Sequence, residues 1–507
     1  AKSIAIGSDS VAEGVYKSST DYTGATAIGA HTNAKGAGAT ALGVATSVNG
    51  DYSIGLGWNT NVSADNSIAI GVQSRSTKEG STAMGPSARG YGEGSLSLGY
   101  QALAGADVYG SGINVINNPI NDNGGIINSY AKWGDAAIGL RAVATGGNAT
   151  ALGRSARAAA ANAIAIGGGN GNSATDNTEK TEATGEKATA IGYNAKAGAE
   201  KSTAIGAGAT ANGLDSFAGA SGTASGAASV AIGANSKGTN IGATALGRSS
   251  EATGASATAL GSLASATGTT ATAVGMQASA SGNESLAIGT TASATSGRAL
   301  AVGTNAKATG ENSVAVGSGA GNSGPRGFAS SINSSRSVVN TLKTINYATT
   351  AEGDNAVALG FYANAKNSGV AVGQNALAAT GGVAIGKGVF EDTNNNLAGG
   401  VVIGQDSAST GIYSLAMGRN AFATGSTSMA MGYEASANGN FAVAMGRNVT
   451  ATGTSTAIGH HATASNGGLA IGSQENDASN DKTTASAKGA VAIGKNTTAS
   501  SEDTVAI

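Results

Sequence analysis

The side chains that could carry out chemistry in this sequence are few and scattered. The three histidines, His31, His460 and His461, have no carboxylate or further histidine at a spacing that a metal site requires. The acidic residues stand singly along the chain, whereas sugar hydrolases need carboxylates gathered in a cleft. The 507 residues include no cysteine, which excludes thiol catalysis, thiolate metal sites and disulfides. The sequence therefore predicts no enzyme, no metal site and no cofactor.

Two segments come close to a phosphate-binding loop, with the pattern Gly-x4-Gly-Lys at residues 381–388 and 489–496. Neither segment ends in the Ser or Thr that the motif requires. In both, the middle residues 383–385 and 491–493 belong to a repeated strand pattern, so their amides are expected to bond within a sheet. We expect no phosphate binding at either place.

Composition limits both the core and the partners. The chain has 82 Gly and 3 Pro, and its residues are 40% hydrophobic but 4% aromatic, so Ala, Val, Ile and Leu must build the core. The chain has 28 Lys and Arg and 30 Asp and Glu, which gives a net charge of -2. It therefore lacks the excess of positive charge that is typical of proteins that bind nucleic acids or anionic membranes. No apolar run of about 18 residues is present, so neither a membrane span nor direct membrane contact is expected.

The elements that position these side chains follow a fourteen-residue period. A glycine after a small residue and an aliphatic residue recurs at this step, and we call it the signature glycine. The full unit reads Ser/Asn-x-Ala-(Ile/Leu/Val/Met)-Gly-x-x-Ala-x-Ala-x-Gly-x-x, which predicts two short strands joined by turns where glycine supplies backbone freedom. Such units cannot close a core alone and must stack as the coils of a parallel solenoid. Signature glycines include Gly71, Gly247, Gly289, Gly317 and Gly432.

Both faces of the first strand are apolar. Ile68 and Ile70 point to one side and Ala69 to the other, because side chains alternate along a strand. Strands that are apolar on both sides are normally covered on both sides. One face should therefore fill the coil and the other should meet a neighbouring chain, which predicts an oligomer. The pattern leaves open which face does which, although the near-constant alanine suggests close approach on its side.

Interruptions of the period divide the chain. Polar interruptions, which include residues 8–23, are predicted to be surface loops. These loops either lengthen a turn of the solenoid without a role in binding or contact a ligand. In the insert at 318–352, Val338, Leu342 and Ile345 at i, i+4 and i+7 behind Ser334 and Ser335 predict a short capped helix. The last unit stops at Ile507 without its glycine, so we expect a fragment truncated at its C-terminus. The predicted order is repeats at 1–105, an apolar β-type insert at 106–132, repeats at 133–317 with a polar insert at 168–184, the insert at 318–352, and repeats at 353–507 with polar inserts at 388–398 and 473–484.

The repeat resembles the head of the trimeric autotransporter adhesins, typified by the Yersinia adhesin head, whose signature is Asn-Ser-Val-Ala-Ile-Gly followed by x-x-Ser/Ala-x-Ala. Copies stand at residues 66–71, 312–317, 2–7 and 284–289, and weaker ones such as Ala-Thr-Ala-Leu-Gly at 243–247 fill most of the chain. The resemblance implies an all-β fold, a left-handed parallel β-roll from each of three chains packed side by side as a homotrimer. It also implies a parent protein on the bacterial cell surface, held in the outer membrane by a C-terminal barrel that is absent from this fragment.

The leading functional hypothesis is an adhesin head. The resemblance implies attachment to host matrix proteins (collagen, fibronectin or laminin) or cell-surface receptors, self-association between cells, biofilm formation and a part in virulence. Many weak contacts along a repetitive side surface would supply avidity. Ligand contacts are expected from outward polar residues such as Asn66, Ser67, Asn312 and Ser313, which equally fit a role as turn residues.

Three other functional hypotheses remain. The first is a passive rigid spacer that projects another binding region away from the cell. The second places recognition on the polar inserts, with 168–184 as the first segment to test. The third is ice binding, which is disfavoured because the repeat lacks a regular Thr-x-Thr column, although Thr-Ala dipeptides such as Thr272-Ala273 keep it open.

Overall fold

The structure is a computed structural model that describes residues 2–14, 23–105, 134–169, 180–319, 331–332, 338–339, 348–391, 399–473 and 482–507. The chain forms two compact units, Ala1–Ala252 and Thr253–Ile507. Each unit is a parallel β-solenoid whose coils follow the fourteen-residue period that the sequence predicts. Every regular element within these ranges is a strand, so none of them contains a helix that is long and apolar enough to cross a membrane.

Each coil of the first unit contributes a first strand, usually of three residues, and a second strand of two. The first strands are Ile4–Ile6, Thr26–Ile28, Thr40–Val44, Ile54–Trp58, Ile68–Ile70, Thr82–Met84, Leu96–Leu98, Ala136–Ile138, Thr150–Leu152, Ile164–Ile166, Thr189–Ile191, Thr203–Ile205, Phe217–Gly219, Val230–Ile232 and Thr244–Leu246. The second strands are Val11–Ala12, Asn33–Ala34, Ser47–Val48, Asn61–Val62, Arg75–Ser76, Arg89–Gly90, Leu103–Ala104, Val143–Ala144, Arg157–Ala158, Glu182–Ala183, Lys196–Ala197, Thr210–Ala211, Thr223–Ala224, Lys237–Gly238 and Glu251–Ala252.

The second unit repeats this plan. Its first strands are Thr258–Leu260, Thr272–Val274, Leu286–Ile288, Leu300–Val302, Val314–Val316, Val357–Leu359, Val370–Val372, Val383–Lys387, Val401–Gln405, Leu415–Met417, Met429–Met431, Val443–Met445, Thr456–Gly459, Leu469–Gly472, Val491–Ile493 and Val505–Ala506. Its second strands are Ser265–Ala266, Ser279–Ala280, Ser293–Ala294, Lys307–Ala308, Thr350–Ala351, Asn364–Ala365, Leu377–Ala378, Phe390–Glu391, Ala408–Ser409, Phe422–Ala423, Ser436–Ala437, Thr450–Ala451, Thr463–Ala464, Thr484–Ala485 and Thr498–Ala499.

Equivalent strands of successive coils pair in parallel and in register, so that each residue lies beside its counterpart one coil away. Ala69 pairs with Ala83, and in the second strands Arg75 pairs with Arg89. The register survives the interruptions, because Ile138 pairs with Leu98 across the 106–132 insert. In each unit the first strands thus form one sheet of the solenoid wall and the second strands form the other.

The interior between the two sheets is narrow. A regular coil has four inward positions, which Ser67, Ala69, Ser74 and Ser76 occupy in one coil, and these four side chains are fully buried. The largest fully buried side chains in the described residues are Val and Thr. The core is therefore made of alanine and small hydroxyl side chains, and it holds together through many backbone ladder bonds around a thin apolar centre.

The prediction of a helix in the 318–352 insert is wrong at its start. Val338 lies in the strand Val338–Val339, which pairs antiparallel with Ser331–Ile332. Two adjacent β-branched residues favour an extended backbone over a helix, because their χ1 freedom is restricted in a helical turn. Leu342 and Ile345 lie outside the described residues, as does the 106–132 insert.

The ranges assigned to polar inserts contain coil strands at their margins. Glu182–Ala183 lies within 168–184, Phe390–Glu391 within 388–398, and Val11–Ala12 within 8–23. The central parts of these ranges, and of 473–484, lie outside the described residues. The solenoid therefore extends further into each range than the composition indicates.

Candidate binding surfaces

The structure determines which apolar face of the first strand is inside. Ala69 and its counterparts are fully buried, whereas Ile68 and Ile70 point out of the coil and remain partly exposed. We call the outward side of the first strands the aliphatic face. In the second unit Leu260 and Ile288, which belong to it, are 41% and 38% exposed. Each unit alone thus leaves regular columns of large apolar side chains facing water.

The aliphatic face is wider in part of the first unit. Where first strands run on past the signature glycine, the next residue also points outward, as Val44 and Trp58 do side by side. Trp58 is 51% exposed. Val72, Tyr100 and Leu140 occupy the same coil position and are exposed as well. A third apolar column therefore runs beside the first two.

The outward side of the second strands, which we call the polar face, carries mostly charged and hydroxyl residues. Successive coils place opposite charges beside each other, as with Lys237 Nζ and Glu251 Oε1 at 2.8 Å. The hydrogen bond and the charge of Glu251 raise the pKa of Lys237 above its ordinary value. Arg157 and Glu182 form a longer pair at 3.7 Å. Outward residues vary between coils, while inward residues stay small throughout.

Two stretches of the polar face in the second unit depart from this description. One is apolar and consists of Leu377, Phe390, Ala408 and Phe422 in successive coils. The other is a column of threonines in successive coils, which the repeat pattern did not predict. It consists of Thr450, Thr463, Thr484 and Thr498.

The turns place one residue in the left-handed region every half coil. Asn59, Asn66 and Gln73 have φ values of 54°, 56° and 57°, seven residues apart, and Gly80 follows at 65°. A left-handed backbone costs most L residues roughly 1–2 kcal/mol, and asparagine tolerates it better than most. Asn is frequent at these positions, but Gln, Ser, Lys and Thr also occupy them, so residue type alone does not identify each turn.

The four predicted ligand residues are divided by the structure into two pairs. Asn66 and Asn312 lie in these left-handed turns with exposed side chains. Ser67 and Ser313 do not point outward as predicted; both are fully buried. The buried position is stable because carbonyl groups accept the hydroxyls: Ser67 Oγ is 2.8 Å from the Lys78 carbonyl oxygen.

The signature glycines stack directly on each other. Gly71 has a φ of 127°, and a Cβ atom there would lie 2.6 Å from the Gly85 carbonyl oxygen of the next coil. The same holds at Gly289 (φ 127°) against Gly303, and φ is 134° at Gly247. Gly317 and Gly432 would bring a Cβ atom to 2.2 and 2.0 Å from the next carbonyl oxygen. Their structural role therefore combines backbone conformation with lack of space.

A cluster on the turns of the second unit escaped the sequence analysis. Arg419, Tyr433 and Arg447 each follow a signature glycine in three successive coils. The Arg419 and Arg447 guanidinium carbons lie 5.9 and 5.7 Å from the centroid of the Tyr433 ring. We call these three residues the Arg-Tyr ladder. Arginine and tyrosine at the period of the repeat were the signal that could have revealed it.

The family model described as YadA head domain repeat (2 copies) matches more than half of the chain. Its matches cover 23–46, 49–74, 63–88, 76–102, 137–170, 183–209, 198–218, 239–264, 266–292, 294–320, 347–363, 351–376, 398–421, 423–448 and 485–507. The chain belongs to the YadA head family of trimeric autotransporter adhesins. No curated protein matches it.

Membership of the YadA head family assigns an adhesin-type domain to this chain. The family and its solenoid are non-enzymatic in kind, and the family is one of cell-surface proteins anchored in the outer membrane. The former phosphate-loop candidates fit this assignment, because Val383–Lys387 and Val491–Ile493 are first strands paired with their neighbours. The described residues include no group of three His, Cys, Asp or Glu side chains that could hold a metal ion.

Proposed function

We propose that this YadA head assembles as a homotrimer and attaches bacteria to host matrix proteins, such as collagen, fibronectin or laminin, or to cell-surface receptors. The observation that carries the proposal is the two-sided wall of the coil. One outward side of the coil is apolar, so contact with another chain would remove it from water. The other outward side is polar and is suited to binding a ligand. Self-association between cells, biofilm formation and a part in virulence follow from the same surface.

The aliphatic face supports the trimer. Soluble monomers seldom expose contiguous apolar patches larger than a few hundred Å². Here the second outward position of the first strand is apolar in nearly every coil, as Ile288 is, and the first is either apolar, as Leu286 is, or threonine, as Thr258 is. A second copy of the chain has the same apolar columns and can cover them, because coils of equal length in the two copies stay opposite each other along the solenoid. Three copies would close the arrangement around an axis.

The polar face and its turns are then left for ligands. Asn66 and Asn312 stand in left-handed turns and are exposed, so their side-chain amides are accessible to a ligand at defined places on the coil. Glycine at these positions keeps the left-handed backbone and removes the amide. The double variant Asn66→Gly/Asn312→Gly therefore tests their role in binding without disturbing the turn. Unchanged binding to all matrix proteins would reject these two residues as ligand contacts.

The experiment that tests the whole proposal has two parts. Light scattering and sedimentation at low micromolar concentration give the mass of the purified chain, and surface plasmon resonance measures its binding to collagen, fibronectin and laminin. A mass of three chains with binding to at least one matrix protein supports the proposal. A folded monomer, or a trimer that binds none of the proteins and no cell surface, contradicts it.

The alternative is a passive spacer, which the variable outward residues favour: Glu182, Lys196 and Thr210 succeed each other on the polar face. Because these outward residues differ from coil to coil, the polar face cannot make the same ligand contact in every coil. Removing residues 257–284, which make up two whole coils, keeps the register of the second unit. Binding that falls stepwise as coils are removed supports adhesion by the coils, and unchanged binding supports the spacer.

A further inference from the structure

Four successive coils of the second unit carry an apolar column on the polar face. Leu377 pairs with Phe390. Ala408 pairs with Phe390 on one side and with Phe422 on the other, so the outward side chains follow one another along the wall. We call these four residues the apolar strip. No other second strand among the described residues carries an aromatic side chain.

The interior of the coils does not use the two rings of the apolar strip. Val389 and Ala421, the inward residues directly before the rings, are buried and fill the space between the sheets. Phe390 and Phe422 lie on the other side of the wall and remain partly exposed. Folding alone gains little from apolar surface that stays in contact with water. A contiguous exposed apolar patch of this kind is typical of a binding site.

A polar rim borders the apolar strip. Thr410 and Thr424 stand two residues after the strip members of their coils, so they point outward beside them. In the next coil, Asn438 Oδ1 accepts hydrogen bonds from Thr424 Oγ1 at 3.2 Å and from Ser436 Oγ at 3.0 Å. Asn438 is exposed, and these bonds hold its amide with the N–H groups available to a ligand. The rim therefore offers hydroxyl groups and an oriented amide donor.

The apolar strip is too small for a protein partner. It is one side chain wide and spans three coil steps, roughly 14 Å, so its area is on the order of 100 Å². A stable protein interface takes about 800 Å² from each partner. The strip is also bounded at both ends by polar residues, Asn364 and Ser436. A second copy of the chain is therefore a poor match for this surface.

Peptides and nucleic acids match less well than a neutral polymer. An extended peptide usually adds a strand to a free sheet edge. The backbone of the strip already bonds between coils: Phe390 N–H donates to the Ser407 carbonyl at 3.0 Å, and Ala408 N–H to the Ala421 carbonyl at 2.9 Å. Single-stranded nucleic acids need basic groups beside the aromatic rings. The strip and its rim contain no charged residue, which favours a neutral ligand.

We propose that the apolar strip binds an extended neutral glycan of a host-cell receptor. A hexopyranose ring has a face of C–H groups that can stack on an aromatic ring, and its edge carries hydroxyls that can bond to the rim. Phe390 and Phe422 are two coil steps apart, roughly 10 Å, so two sugar rings of one extended chain can stack at once. The proposal rests on the proposed function, in which the polar face is left for ligands.

The experiment measures binding of the full chain to cellohexaose, chitohexaose and maltohexaose by isothermal titration calorimetry. The first two sugars are extended and the third is curved, so we expect binding to at least one of the first two. Phe390→Ala/Phe422→Ala should weaken that binding roughly 10-fold or more, because both stacking contacts are lost. Phe390→Tyr/Phe422→Tyr should leave it nearly unchanged, since the aromatic faces are kept. Asn438→Ala should weaken it roughly 3-fold through one lost hydrogen bond.

The matched control is Thr463→Ala/Thr498→Ala. These two threonines also lie two coils apart on the polar face of the second unit. An equal loss in this control, or no loss in the double phenylalanine-to-alanine variant, overturns the proposal. So does a lower solution mass of that variant, which would make the strip a contact between copies. Tighter binding to a proline-rich peptide or to single-stranded DNA, or binding to maltohexaose alone, also overturns it.

Failure of the glycan site and failure of the adhesin function give different results. A wild-type chain that binds matrix proteins but none of the sugars overturns the glycan site and leaves the adhesin function intact. A strip variant that loses the sugar but keeps collagen or fibronectin supports a separate glycan site. Attachment to host cells that the bound hexamer does not reduce overturns the receptor glycan as the ligand. A wild-type chain that binds nothing contradicts both proposals.

Discussion

The side chain of Val48 fills the space above Gly55. A Cβ atom on Gly55 would lie 2.5 Å from Val48 Cγ2 and 3.6 Å from Val62 Cγ2. Most strands instead carry alanine at these positions, and the equivalent pair one coil earlier is Ala34 and Ala41. The glycine of this first strand thus makes room for the larger side chain of the preceding second strand.

This relationship predicts a double-mutant cycle. Gly55→Ala should destabilise the chain by about 1–3 kcal/mol, because the added methyl group overlaps Val48. Val48→Ala alone should cost about 1–2 kcal/mol through the cavity it leaves. The double variant should recover much of both losses, since it recreates the common alanine pair. Chemical denaturation measures the four stabilities, and additive losses would contradict the volume match.

The signature glycines predict a position-specific effect of one substitution. Gly71→Asn should destabilise the chain by more than about 2 kcal/mol, because its φ of 127° is unfavourable for asparagine and the next coil leaves no room. Gly80→Asn in the same coil should be nearly neutral, since φ is 65° and the nearest atom is 3.7 Å from the new Cβ. Thermal unfolding compares them. Equal losses would show that space and conformation at Gly71 do not matter.

The aliphatic face predicts that charge on one side of a coil breaks the assembly. Ile288→Asp should lower the solution mass while circular dichroism stays unchanged, because the side chain points away from the coil interior. Ser293→Asp places the same charge on the polar face of the same coil and should keep the assembly. Sedimentation gives the masses. A trimer that tolerates Ile288→Asp would place the interface elsewhere.

The ion pair on the polar face predicts a pH dependence. Glu251 raises the pKa of Lys237 in the folded chain, so the pair stabilises the fold at neutral pH and this contribution is lost as pH rises through that raised pKa. Glu251→Gln should return the pKa of Lys237 toward its ordinary value and remove the alkaline loss. NMR titration of the lysine side chains measures it.

The control for that titration is Glu186→Gln. Glu186 raises the pKa of Lys187 by a hydrogen bond and by its charge, so this variant should lower the pKa of Lys187 and leave Lys237 unchanged. A shift of Lys237 in both variants would point to a general charge effect.

The period predicted the coils, the parallel strands and the role of glycine, because these depend on regular spacing. The period did not predict which face of the first strand is inside, because Ile68 and Ala69 are both apolar. The size of the side chain determines the face, since the interior has room for little more than alanine. Ser67 and Ser313 were misplaced because polarity suggested water, whereas carbonyls near the coil interior accept their hydroxyls. The Arg-Tyr ladder was missed because its residues are a full coil apart in sequence and meet through stacking.

The in-register stacking of coils has a consequence for how such a chain changes over generations. Each coil contacts its neighbours through the same inward residues, so two coils of one sequence can be joined wherever their signature glycines align. The coils that end at Gly373 and Gly386 have 13 residues, one fewer than the usual 14, and they keep the pairing of Val357, Val370 and Val383. Recombination between the coding segments of two coils would therefore yield a folded protein, shortened or lengthened by whole coils.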